Sequence, residues 1–149
     1  MRAAVVILVP WVVWGALDAL IYMGLLAARP DSFDENGIPI AFGMQLFLLL
    51  LRAMYSLIAG FLAAKLAKKS WSWLPLAAIG LLFVTGLTVQ LMNNAAYPFW
   101  FDLSFLTLVV VFGLFGATLG GAISSTRSKA VAVSESEEAE SEPEAAVSR

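Results

Sequence analysis

Two ionisable side chains stand inside apolar stretches long enough to cross a bilayer, so they are where chemistry would be expected. Asp18 lies in "VVWGALDALIYMGLL" (residues 12–26), and Arg52 lies in "LRAMYSLIAGFLAAKLA" (residues 51–67). A carboxylate in hydrocarbon can carry a proton, bind a cation, act as acid or base on a lipid, or neutralise a basic partner. Asp18 is roughly 15 Å from the outer end of its segment and Arg52 roughly 18 Å from the outer end of the next one, at 1.5 Å of rise per residue. An unpaired charge at such depth costs at least about 2.5–3.5 kcal/mol. Two lone charges at matching depth on consecutive segments are therefore expected to form an ion pair.

Helical spacing groups further residues around that pair. Trp11, Gly15, Asp18, Ala19 and Tyr22 follow steps of three and four, as do Arg52, Tyr55, Ser56 and Gly60, so each set shares one helix face. Gly15 and Ala19 on one face and Ser56 and Gly60 on the other are small enough to let two backbones approach. "GLFGATLGG" offers a second smooth strip with Gly113, Gly116 and Gly120. Gln45, Gln90, Asn93 and Asn94 add amides toward the outer ends of their segments.

The elements that must position these groups are read from composition. Of the 149 residues, 60% are hydrophobic and only 13% charged, against about 25% charged in an ordinary soluble domain. Four apolar runs, 3–28, 40–64, 74–94 and 102–124, each reach the ~20 residues that a helix needs to span ~30 Å of hydrocarbon. The first run is about twice the length of a signal-peptide core, and "LLAARPD" offers no small-x-small cleavage site, so a retained helix is expected. Pro30, Pro39, Pro75 and Pro98 fall where segments begin or end, whereas Pro10 lies within the first and should kink it.

Orientation follows from the basic residues. Arg2, Lys65, Lys68, Lys69, Arg127 and Lys129 flank one side of the predicted spans, and only Arg29 flanks the other. The expected architecture is an all-α, four-transmembrane-helix bundle, up-down-up-down, with both termini cytoplasmic. Trp71 and Trp73 on the inner side, and Tyr97, Phe99, Trp100 and Phe101 on the outer, suit the aromatic belts of the two interfaces. Residues 1–124 form the membrane domain; residues 125–149, with "SESEEAESEPE", have the composition of a disordered acidic cytoplasmic tail.

Several chemistries are removed by composition. The chain has no cysteine and no histidine, which excludes disulfides, thiolate or imidazole metal sites and a Ser-His-Asp triad. Asp18 or Asp102 as an acid/base residue on a lipid would have no second close carboxylate to work with, so no enzyme, cofactor or bound metal is expected. Two function classes stay open. One is a structural or interaction subunit held together by the Asp18–Arg52 pair, associating with itself or with a larger membrane complex. The other is a small proton- or cation-coupled transporter working as an oligomer. A guanidinium beside Asp18 favours the ionised carboxylate and argues against proton carriage. The partner common to both is the lipid bilayer, and nucleic acid is not expected.

"LRAMYSLIAGFLAAKLA" and "AYPFWFDLSFLTLVVVFGLFGATLGG" (residues 96–121) resemble an uncharacterised family of short bacterial inner-membrane proteins with four helices. The matching positions are Arg52, Tyr55, Gly60, Tyr97, Pro98, Gly120 and Gly121, over about half of the chain. The resemblance implies a multi-pass protein of the bacterial inner (cytoplasmic) membrane and no particular activity. The chain departs from the family pattern in its long acidic tail and in Lys65, where arginine is usual.

Overall fold

A computed structural model describes residues 2–67, 73–92 and 97–121. They form four long helices: α1 (Arg2–Ala28), α2 (Phe42–Leu66), α3 (Leu74–Met92) and α4 (Phe99–Gly121). Each is long and apolar enough to cross a membrane, and together they make the protein an all-helical membrane protein. Asn93 and Asn94, the basic loop at Lys68 and Lys69 with Trp71, and everything from residue 122 onward, acidic tail included, lie outside the described residues.

The helix boundaries differ from the sequence expectation at two prolines. Pro39 does not open α2; it pairs with Phe33 in an isolated antiparallel bridge, and the helix begins three residues later, after an extended Ala41. The bridge takes up backbone groups that would otherwise start the helix. Pro98, in contrast, offers its carbonyl to the N–H groups of Phe101 and Asp102, so α4 starts at Phe99 rather than at residue 102. Pro10 is fully buried within α1, and the helix continues past it to Ala28. Its missing N–H removes only one rung of the ladder.

Between α1 and α2 the chain makes a short 3-10 turn (Pro30–Ser32) and a compact loop. Asp34 Oδ1 accepts the N–H groups of Asn36 at 2.9 Å and Ile38 at 2.7 Å, closing the loop on itself. Gly37 sits at φ +78°, a backbone state in which a Cβ is strained. Its carbonyl accepts the Tyr22 hydroxyl, and the Tyr22 ring meets Phe33 edge-on at 5.7 Å. The loop is thereby fastened onto the C-terminal end of α1.

In hydrocarbon, apolar burial gives little drive for helix association, so close packing and polar contacts must hold the bundle. On α4 the buried residues are Phe101, Phe105, Val109, Gly113, Gly116 and Gly120, a stripe at steps of three and four. Its lower half lies against α2 nearly backbone to backbone. A Cβ added at Gly116 would collide with the Leu57 carbonyl, one at Gly60 with the Gly113 carbonyl, and one at Gly120 would lie 2.8 Å from the Phe61 carbonyl. The upper half of α4 carries rings instead. Phe101, Phe105 and Val109 join Trp14, Leu49, Tyr55, Ala59 and Leu82 in the apolar core. The opposite faces expose large apolar side chains such as Leu20, Leu50, Leu87 and Phe115, as a lipid-facing surface requires.

Candidate functional site

The polar groups of the bundle converge on Arg52. Its Nε donates to Asp18 Oδ1 at 2.9 Å and its terminal nitrogen to Asp18 Oδ2 at 3.4 Å, a two-pronged arrangement that joins α1 to α2. The guanidinium carbon also lies 5.1 Å from the ring centre of Phe105 and 6.0 Å from that of Phe101, both on α4. A cation over an aromatic face is attracted by the ring quadrupole, more strongly where water is scarce. One side chain of α2 thus touches two other helices, α1 and α4.

A second layer of hydrogen bonds lies below the pair. Trp14 Nε1 donates to Ser56 Oγ at 3.2 Å, and Ser56 Oγ donates to the Arg52 carbonyl at 2.8 Å. Trp11 Nε1 donates to Thr85 Oγ1 at 3.0 Å, which joins α1 to α3. A buried indole N–H needs an acceptor. Two tryptophans on α1 within one turn of each other were the sequence signal for these bonds. Phe101 and Phe105, four residues apart on α4, were the corresponding signal for the aromatic seat under Arg52.

Against the pair lies a cavity of about 260 Å³ to which all four helices and the segment before α4 contribute. Asp18 and Arg52 line it with Trp14, Ala19 and Tyr22 of α1, Thr85, Gly86, Val89 and Gln90 of α3, and Tyr97, Phe101 and Phe105. The Asp18 side chain keeps 24% of its accessible surface and Arg52 15%, so the pair is partly open toward this space. Gln90 also lines the cavity, but its Oε1 is buried away from it, with no hydrogen-bond partner among the described residues. Tyr97 stacks on Phe101, ring centres 4.6 Å apart and nearly parallel. Burial pushes the Tyr97 hydroxyl up to about 12, and the neighbouring Tyr22 adds to the effect against the opposing pull of Arg52. Tyr97 is therefore a neutral donor and acceptor at physiological pH.

Other residues singled out in the sequence lie elsewhere. Gln45 does not face the cavity; its Nε2 donates to the Pro39 carbonyl at 2.9 Å and ties the start of α2 to the loop. Gly15 makes no close approach, because a Cβ built there would meet nothing within 4 Å, and Ala19 is exposed at the cavity rather than packed on a helix. Ser56 is fully buried and acts as a hydrogen-bonding group rather than only as a small spacer. Tyr55 is buried in the core with no hydrogen-bond partner for its hydroxyl among the described residues, and Asp102 Oδ1 is likewise unpartnered. Among the described residues no group of three or more acidic side chains gathers that could hold a metal ion.

No family model, no curated protein and no solved structure matches this chain. The likeness to the bacterial inner-membrane family therefore rests on the two segments quoted above alone.

Proposed function

We propose that the chain is a multi-pass protein of the bacterial inner membrane that acts as a structural or interaction subunit, with Asp18 and Arg52 as its internal clamp. The observation that carries this reading is the reach of Arg52, whose guanidinium bridges Asp18 of α1 and rests on Phe105 and Phe101 of α4 while its backbone belongs to α2. An acid that moved protons or cations would have to separate from this guanidinium, giving up two charge-assisted hydrogen bonds at mid-membrane depth.

The up-down-up-down path belongs to the same reading. Trp14 meets Ser56 and Asp18 meets Arg52, so residue numbers rise along α1 as they fall along α2. Leu57 meets Gly116 and Phe61 meets Gly120, so α2 and α4 run together. The excess of Lys and Arg at the other ends sets both termini on the cytoplasmic side. The glycine seam of α4 is occupied by α2 within the chain. Association with another copy or with a larger complex would use the remaining lipid-facing surfaces. The reading assigns no enzymatic activity and no cofactor.

A charge exchange tests it. Asp18→Arg and Arg52→Asp should each lower the yield of folded protein, and the double variant should recover a substantial part of it. Failure of the double variant to recover anything would sink the clamp.

The transporter reading is favoured by one observation, the opening of the cavity onto Asp18. It requires that Asp18→Asn abolish proton-dependent flux in liposomes while leaving the protein folded; unchanged flux removes it.

A further inference from the structure

Charge is balanced within the Asp18–Arg52 pair, but its hydrogen-bonding capacity is not used up. The carboxylate accepts two hydrogen bonds from Arg52, whereas an ionised carboxylate offers about four acceptor sites. Arg52 directs two N–H groups at Asp18, and a guanidinium carries five. Both side chains keep accessible surface, 24% for Asp18 and 15% for Arg52, and both line the cavity of about 260 Å³.

The occupant of that space determines whether these open valences are costly. A lipid chain would lay hydrocarbon against a carboxylate and a guanidinium, leaving polar atoms desolvated without a hydrogen bond. A charged guest would meet a pair that has already cancelled its own charge, and would lose its hydration without gaining a counter-ion. Water meets neither objection, because it is neutral and both donates and accepts. A bound water needs two to four polar partners and enough room. Besides the pair, Tyr22, Thr85 and Tyr97 bring hydroxyls to the same lining, and none of these three residues is fully buried. At roughly 30 Å³ of liquid volume per water, the cavity has room for several. Gln90 Oε1 takes no part, being buried away from this space. Water is also small enough to be enclosed as the helices pack, so the assignment does not depend on an entrance.

We propose that the recess holds a cluster of bound waters at mid-membrane depth, anchored on the open acceptor sites of Asp18 and the remaining N–H groups of Arg52. The ion pair is then hydrated rather than dry, with water as its third partner. This inference rests on the contact between the two side chains and is the same whether the bundle serves as a scaffold or as a carrier.

Water-edited solid-state NMR of the isotopically labelled full chain in liposomes tests it, since magnetisation started on water reaches the nearest side chains first. The Asp18 carboxyl carbon and the methyl carbons of Ala19 and Thr85 should appear as early as signals from Asn36 in the exposed loop. Leu20 is within about 3 Å of Asp18 in depth but is 69% exposed on the lipid-facing surface, so its methyl signals should appear late. Asp18→Leu combined with Arg52→Met removes both charges at once and leaves neither unpaired. That double variant should lose the early signals at Ala19 and Thr85, and their survival would overturn the anchoring role of the pair. Should it not fold, the unaltered chain is sufficient: an Asp18 signal as late as that of Leu20 overturns the proposal. Early transfer to Asp18 from lipid acyl chains overturns it as well, since a tail would then fill the recess. The charge-exchange experiment reports on the clamp and not on the water, so the two readings fail separately.

Discussion

Gly60 of α2 and Gly113 of α4 meet backbone to backbone, so close that a Cβ on Gly60 would occupy the position of the Gly113 carbonyl. Gly116 stands in the same relation to Leu57. Contacts of this kind bring many atoms into dispersion range and are the main source of association between helices in lipid. Neither neighbour can yield, because both are main chain. Gly116→Val should separate α2 from α4 and lower stability by more than the roughly 1–3 kcal/mol of ordinary overpacking. Gly15→Val should cost less than about 0.5 kcal/mol, as for surface changes away from packed features, since nothing lies near that position. Reversible unfolding in mixed micelles measures both. Equal losses at the two glycines would contradict the seam.

The ion pair makes a second, separable prediction. Arg52→Gln leaves Asp18 charged without its partner, and Asp18→Asn leaves Arg52 so. Each should destabilise by about 2.5–3.5 kcal/mol, the cost of a lone charge at this depth. The combined variant, with two amides that can bond each other, should be more stable than either single one. A double-mutant cycle with no coupling energy would show that the two side chains act independently.

Ser56 links Trp14 to the Arg52 backbone. Ser56→Ala deprives the buried indole N–H of its acceptor, and interhelical hydrogen bonds in membranes are worth about 0.6 kcal/mol on average and up to about 1.7. A loss in this range is expected in the same unfolding assay. Trp14→Phe combined with Ser56→Ala should cost less than the sum of the two, because the orphaned donor is gone.

Tyr97 carries a pH dependence. Its hydroxyl is raised to about 12 in the folded chain from an ordinary value near 10. Between these values the folded protein holds the proton that the unfolded chain has released, so stability must fall as pH rises through that window. Below pH 10 the contribution is complete. Tyr97→Phe should flatten this part of the stability curve and remove a tyrosinate absorbance signal titrating near 12. A Tyr97 signal titrating near 10 would show that its hydroxyl is exposed.

The proposed orientation can be read with single cysteines in this cysteine-free chain. An impermeant maleimide applied to intact cells should label Asn36→Cys, in the loop after α1. It should label Ser134→Cys only after the cells are opened. The reverse pattern would invert the protein in the membrane.

The sequence by itself determined the four spans. In hydrocarbon each backbone N–H and C=O must be satisfied within its own helix, so length and apolarity alone define a spanning segment. Matching depth was also enough to argue that Asp18 and Arg52 should be neighbours, since the cost of separate charges leaves few alternatives. Tertiary structure decided everything that depends on which face meets which. Small residues permit close approach without saying to what, so only packing could assign Gly60 and Gly116 to a seam inside the chain and leave Gly15 in open space. The polar side chains of the outer half looked alike in sequence, yet Gln45 turned to a loop carbonyl and Gln90 to a cavity. The reason is physical: depth along a helix is a one-dimensional property that residue number carries, whereas azimuth is fixed only when neighbouring helices pack and choose which side chains they enclose.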